Sequence, residues 1–160
     1  IQSKKLEKFI QNLEVKSASS NSFIGLDHLK EQYTSLVTFY QFIPKRERIS
    51  DYLQDYTEFT AALLKEKVPL LPLIDSRVMN LHIQDVEENS DNLETLYIYL
   101  RNERSYLKAS KIMNLHRNSI VYRINRIQEI VGWDLDDEKT RAYIMFSYEL
   151  LKYMENSGAI

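Results

Sequence analysis

Along almost the whole chain, apolar positions recur at the three- and four-residue spacing of helices rather than at the alternation of strands. Leu6, Phe9, Ile10 and Leu13 share one side of a segment at 4–15, which a polar stretch at 16–22 interrupts. Leu29, Tyr33, Leu36, Val37 and Tyr40 predict a second helix over 26–42, facing inward along that side. Tyr52, Leu53, Tyr56, Phe59 and Leu63 or Leu64 predict a third over 49–65, with Pro44 and the charged run 45–48 as the connection. Pro69 and Pro72 bracket a turn, after which 76–89 reads as a further helix.

From Ser90 the local signals sharpen. Asp91 followed by Glu94 has the spacing of a capping box and predicts a helix to Arg101, with Leu93, Leu96, Tyr97 and Leu100 as its inner face. Ser105 caps the next helix, 106–113, where Ile112 and Met113 are expected to pack inward and the small Ala109 and Ser110 let another helix cross closely. Asn114 stands at the following turn, because Asn tolerates a left-handed backbone better than any residue but Gly. Leu115 plugs that turn into the core, and His116 caps a helix that Gly132 ends. Asp136 or Asp137 then caps a last helix to about residue 156. It carries Ala142, Phe146, Leu150 and Tyr153, and also Ile144, Met145, Leu151 and Met154, a surface wide enough to be covered on two sides.

The helix at 116–131 has two unlike faces. Ile120, Ile124, Ile127 and Val131 fall on one narrow stripe, whereas Asn118, Ser119, Tyr122, Asn125 and Arg126 face the other way. A helix buried on one side and lined on the other with Arg, Asn, Ser and Tyr is equipped to touch bases and phosphates. Together with the short helix before it, this is the layout of a helix-turn-helix.

Charge distribution supports that reading more than the total, which is −2. Between Arg101 and Arg126 stand Arg101, Arg104, Lys108, Lys111, Arg117, Arg123 and Arg126 against one acid, Glu103, and acidic clusters flank the block on both sides. Composition excludes several other chemistries. With no Cys there are no disulfides, thiolate metal sites or cysteine nucleophile. Gly is scarce and neither phosphate-cradling glycine motif occurs. His28, His82 and His116 are too scattered for a metal site, no Ser sits in a nucleophile elbow, and the acidic run 134–138 lacks the glycine and closing glutamate of a calcium loop. No enzyme activity, metal or cofactor is expected, and without a membrane-spanning run or a signal pattern the chain is expected to be cytoplasmic.

The first turn of a recognition helix meets base edges first. His116, Arg117, Asn118, Ser119, Tyr122 and Arg126 are therefore the candidate base contacts, with Arg117 suited to a guanine and Asn118 to an adenine, each worth roughly 1–3 kcal/mol of discrimination. Arg104, Lys108 and Lys111 fit phosphate contacts, as does Arg123, which lies at the edge of the buried stripe and suits a phosphate or an acidic neighbour equally well. The competing roles are bland ones: packing for Tyr122, helix capping for His116, Asn118 and Ser119, and a surface ion pair of Arg126 with Glu129.

The run from Leu93 to Asp137 resembles the C-terminal helix-turn-helix of the PucR-like transcriptional regulators, a group that includes purine-catabolism and sugar-diacid regulators. The resemblance is carried by Leu93, Glu94, Thr95 and Leu96, then Tyr99 and Leu100, then His116, Arg117, Asn118 and Ser119 with Tyr122 and Arg123, then residues 134–137. Ser119 stands where the family commonly has Thr, and Ser110 where Ala is usual. A weaker similarity at 21–33 and 49–56 is to the tail of the family's degenerate GGDEF-like middle region. The resemblance implies an all-α chain in two parts: a helical linker with that tail at 1–88, and a winged-less, Fis-like DNA-binding domain at 89–160. It also implies double-stranded DNA as partner, action as a homodimer, and an effector, if any, bound by an upstream region absent from this chain. A helical module whose basic block binds an acidic protein partner is the alternative, and it would require apolar anchors on the outer face of 116–131.

Overall fold

The computed structural model describes residues 9, 17–19, 25–42 and 49–159; the helix expected at 4–15 and the connection at 43–48 lie outside them except for Phe9. The chain divides into two compact units, 1–68 and 69–160.

In the first unit a three-residue strand β1 (Ser17–Ser19) pairs in parallel with β2 (Ile49–Asp51), with Ser17 opposite Ile49. Helix α1 (Leu29–Phe42) lies between them in sequence and α2 (Tyr52–Lys65) follows β2. The two strands are a small addition to an otherwise helical chain. They arise where the helical pattern of the sequence is weakest: 16–22 is polar, and 49–51 precedes Tyr52, the first position of the apolar stripe predicted for the helix that follows. Among the described residues, Phe39 and Phe59 meet edge to face with ring centroids 5.3 Å apart, and Leu36 and Ala18 pack against them. Leu29, Tyr33, Tyr40, Tyr56 and Leu63, expected to face inward, are exposed.

The second unit opens with a one-turn 3-10 helix (Leu71–Leu73) and continues through α3 (Ser76–Glu88), α4 (Asn92–Arg101), α5 (Tyr106–Met113), α6 (Arg117–Val131) and α7 (Glu138–Asn156). Seven α-helices thus account for most of the described residues. Helix α4 is the hub, packing on α3, α5, α6 and α7. Leu93, Thr95, Leu96, Tyr97, Tyr99 and Leu100 are all buried, six of its ten residues. Around it the fully buried Val78, Ile120, Ile124, Ile127, Ile144, Leu150 and Leu151 close the core, as the periodicity of α6 predicts.

Helix α3 belongs to this unit and not to a linker ending at 88. Buried Val78 and Leu81 dock it, and His82 Nε2 lies 3.3 Å from Glu155 Oε1 on α7. Its start is tied down more firmly. Asp75 caps it by accepting from the Arg77 backbone N–H, receives Nε and Nη2 of Arg77 on its two oxygens, and donates its own N–H to Ser147 Oγ in the middle of α7 at 3.0 Å. The Arg77 guanidinium also lies over the buried Trp133 ring. Trp133 and Leu135 are core residues inside the acidic connection 133–137. Their loop is held because Arg141 Nη1 donates to the carbonyls of Leu135 and Asp136, at 2.8 and 2.7 Å.

On α7 the buried face is Ile144, Ser147, Tyr148, Leu150, Leu151 and Met154. Ala142 and Phe146, expected inside, are exposed. Likewise Ile112 on α5 is 56% exposed, because the buried face of that short helix is Ala109 and Ser110. Both differences have one cause: where a helix is amphipathic on two adjoining stripes, the neighbours decide which is covered.

The start of α4 departs from the capping box. Asp91 makes no side-chain cap. Instead Asp85, one turn from the end of α3, reaches across: Oδ1 accepts from the Asn92 N–H at 3.0 Å and Oδ2 from the Leu93 N–H at 2.7 Å, while Ser90 Oγ donates to Oδ1. A carboxylate on the preceding helix thus satisfies two amides that a local side chain otherwise has to serve. Asp85→Ala is expected to destabilise the unit by about 1–2 kcal/mol, the upper part of the range for a lost cap, whereas Asp91→Ala leaves the urea midpoint almost unmoved.

The Arg77 hydrogen bonds hold the Asp75 carboxyl below its ordinary value of 3.8, against the opposing effect of burial. A depressed folded-state pKa contributes stability that is present above the unfolded value and lost as pH falls through the folded one. Asp75→Asn is therefore expected to flatten the acid limb of the stability curve below about pH 4, read as urea midpoints across that range.

Candidate nucleic-acid interface

Helices α5 and α6 meet at a turn built by backbone rules. Ser105 Oγ accepts the Lys108 N–H at 3.2 Å and starts α5. Asn114 ends it in the left-handed region at φ 51°, with its own N–H and that of Leu115 both donated to Ser110 O. His116 Nδ1 then accepts the Asn118 N–H at 3.2 Å and starts α6, which Gly132 closes at φ 65°. Capping takes only Nδ1, so Nε2 of the exposed His116 is left for another partner.

With Ile120, Ile124 and Ile127 buried, α6 turns its opposite face outward. Arg117, Asn118, Ser119, Tyr122 and Arg126 are all exposed, Tyr122 at 64%. A Tyr that is two-thirds exposed is not a packing residue. Among the described residues, no hydrogen bond or ion pair engages the side chain of Asn118, Ser119, Tyr122 or Arg126; Arg117 lies over the Tyr106 ring of α5, 5.8 Å from its centroid. Of the six sequence-predicted base-reading positions, Asn118, Ser119, Tyr122 and Arg126 share the outer face of α6, whereas the exposed His116 and Arg117 stand at its start, Arg117 on the α5 side.

The four candidate phosphate contacts do not behave alike. Lys111 is exposed on α5 and unpaired among the described residues. Lys108 Nζ pairs with Glu103 Oε2 at 2.8 Å, both groups in solvent, and Lys108 holds the Glu103 carboxyl below the usual range. Arg104 is exposed and reaches along the surface to the acidic connection, where its Nη1 donates to Leu135 O and pairs with the exposed Asp136. Arg123 is half-buried and its Nη1 donates to Thr95 Oγ1 at 3.0 Å. Thr95 has no exposed surface, and its hydroxyl donates in turn to Asp91 O, so the guanidinium completes a buried polar group. Arg104 and Arg123 consequently each give a guanidinium nitrogen to the frame, whereas among the described residues Arg117, Arg126 and Lys111 make no ion pair and Lys108 is held only by an exposed one.

Pattern reading left the aromatic bracing of α4 unseen. Tyr97 stacks on Tyr148 with centroids 4.0 Å apart, accepts from Arg101 and donates to Glu149. Tyr99 stacks on Tyr106 at 4.7 Å. Burial, then the Glu149 carboxylate, push the Tyr97 hydroxyl up to about 12, and burial raises Tyr99 and Tyr148 as well. These phenols stay neutral and structural. Tyr106 carries the one link to the site, as the ring beneath Arg117.

Comparison with known proteins follows the same segment. Residues 92–150 match the model of the PucR C-terminal helix-turn-helix domain. The chain is 28% identical over 126 residues to the proline-responsive transcriptional activator PutR of Bacillus subtilis, covering 79% of this chain and 26% of that protein. It is 29% identical over 100 residues to the purine catabolism regulatory protein of Bacillus subtilis, covering 57% of this chain and 19% of that protein. With the carbohydrate diacid regulator of Escherichia coli it shares 31% identity over 68 residues, 42% of this chain and 18% of that protein. The chain thus spans about a quarter or less of the length of these relatives. No solved structure matches it.

The left-handed Asn114 sets the angle between α5 and α6. Asn114→Ala is expected to cost about 1 kcal/mol of stability, since a Cβ without a compensating polar group is strained there, and Asn114→Gly to be neutral or stabilising; thermal melts of the two variants test the pair.

Proposed function

Because residues 92–150 match the PucR C-terminal helix-turn-helix domain, we propose that this chain is the C-terminal, DNA-reading part of a transcriptional regulator and that α6 is its recognition helix. The observation that carries the reading is the outer face of α6: Asn118, Ser119, Tyr122 and Arg126 exposed and unengaged among the described residues, over a stripe of fully buried isoleucines. An α-helix is about 10–12 Å across with its side chains and the major groove about 12 Å wide, so this face enters the groove edge-on. Arg117, Asn118 and Ser119 in the first turn, His116 through Nε2, and Tyr122 and Arg126 further on read base edges. Lys108 and Lys111 grip phosphates on the α5 side. Arg104 and Arg123 hold the frame with one guanidinium nitrogen each, and Arg123 keeps further N–H groups for a phosphate. Between Arg117 and Arg126 this face holds one exposed aromatic and no exposed aliphatic side chain, Ile130 following only near the end of α6, which suits a protein-docking surface less well than a groove in DNA.

The rest of the reading follows the relatives. Residues 1–68 are the tail of a degenerate GGDEF-like middle region, the β1–α1–β2 crossover and its Phe39–Phe59 core being what supports this. The regulator acts in the cytoplasm as a homodimer that sets two α6 helices about one DNA turn, roughly 34 Å, apart. No catalysis or cofactor is assigned to this part, and an effector belongs to a region upstream of it.

Fluorescence anisotropy with operator and random duplexes at several salt concentrations tests the roles. Arg117→Ala is expected to lower affinity and relax base preference, whereas Lys111→Ala weakens all duplexes about equally and reduces the salt slope by about one unit. Equal effects of both variants on both kinds of DNA would overturn the division into base and phosphate contacts.

A further inference from the structure

A cleft of about 570 Å³ lies against α6, where Asn118, Ser119, Tyr122, Arg123 and Arg126 line it, and the assigned contacts leave its opposite wall, at the α3–α4 junction, unused. One wall is α6 itself, with Ser119, Tyr122, Arg123 and Arg126; the other is the α3–α4 junction, with Glu88 and Asn92. At 100° per residue, Ser119, Arg123 and Arg126 lie along one side of α6, whereas Arg117, seated over Tyr106 of α5, lies on the other. A helix that fills the major groove has a sugar–phosphate strand along each flank. Lys108 and Lys111 serve the strand on the α5 flank. The second strand meets the opposite flank, where this cleft is.

We propose that the cleft is a second backbone subsite, in which the sugar–phosphate strand opposite α5 runs between α6 and the α3–α4 junction, with Asn92 as a neutral donor to it and Glu88 as a charge that limits the affinity. This rests on α6 being the recognition helix. Asn92 is pre-oriented: its Nδ2 donates to Ser90 Oγ at 3.1 Å, and that hydroxyl is fixed by Asp85. An amide nitrogen has two N–H groups, and the second is unclaimed among the described residues. The backbone amides of Asn92 and Leu93 are already taken by Asp85, so the subsite rests on side chains and not on the helix terminus. Arg126 and the remaining N–H groups of Arg123 supply its positive charge. Glu88, exposed in the last turn of α3, is the one acid on the cleft wall. A carboxylate there opposes every phosphate regardless of sequence, which lowers non-specific binding along with specific binding.

The test is anisotropy with a labelled random-sequence duplex across a salt series, using the whole chain and variants with unchanged thermal melts. Glu88→Lys is expected to tighten binding roughly three- to tenfold and steepen the salt slope, and Asn92→Asp to weaken it by a similar factor. Both substitutions suit their helix ends, a cation at the end of α3 and an acid at the start of α4; Asn92→Asp also gives up the hydrogen bond to Ser90, so its unchanged melt is the condition for using it. Glu87→Lys, on the same turn but off the cleft wall, is the control for net charge. If Glu87→Lys tightens binding as much as Glu88→Lys, or if neither cleft variant differs from wild type while Lys111→Ala weakens binding, the subsite is wrong and α6 stands as the recognition helix. If the wild type does not bind duplex DNA at low salt, or Lys111→Ala and Arg126→Ala also change nothing, the recognition-helix reading fails and the subsite with it.

Discussion

The second unit depends on keeping α4 out of water. Six of its ten residues are buried and four helices pack around it. A helix enclosed in this way has nowhere to send its first amides except to other protein groups, because an unmet buried N–H costs about 1–3 kcal/mol. Asp85 answers that requirement from α3, and in doing so ties α3 to α4 by hydrogen bonds rather than by packing alone. The same logic governs Thr95. A hydroxyl with no exposed surface at the centre of the bundle needs both a donor and an acceptor, and Arg123 and the Asp91 carbonyl supply them.

Those internal requirements sort the basic residues. Carbonyls and hydroxyls that lack other partners draw a positive side chain to them, so Arg104, Arg123 and Arg141 each give a guanidinium nitrogen to the frame. Residues that the isoleucine stripe turns outward meet no such demand. Arg126, Asn118, Ser119 and Tyr122 remain available because Ile120, Ile124 and Ile127 set the rotation of α6. The rotation is in turn held by the left-handed Asn114 and by the His116 cap. The exposed polar face of α6 is therefore a by-product of how the opposite face is buried.

Much of this was legible in the chain. The isoleucine spacing in 116–131, the Ser105, His116 and Asp137 caps, Asn114 at the turn and Gly132 at the end depend only on near neighbours, and all are found where local rules place them. Features that depend on distant partners were not legible. Nothing near Asn92 announces that Asp85 rather than Asp91 serves α4, since a capping box at the right spacing was present. Ile112, Phe146 and Tyr33 look as hydrophobic as their buried neighbours, and only the placement of adjacent helices leaves them outside. The match to Thr95 and Arg123 within a family pattern marked both residues without saying that they touch.

By itself, the sequence determined where helices start and stop, which stripe of α6 is apolar, and that positive charge gathers between Arg101 and Arg126, because each is a property of residues within a few turns of one another. The tertiary structure decided which cations are free, which carboxylate caps α4, and that Trp133 and Leu135 enter the core from an acidic loop. Those outcomes turn on desolvation: a polar group's partner is set by what else is buried beside it, and burial is a property of the assembled helices and not of any one of them.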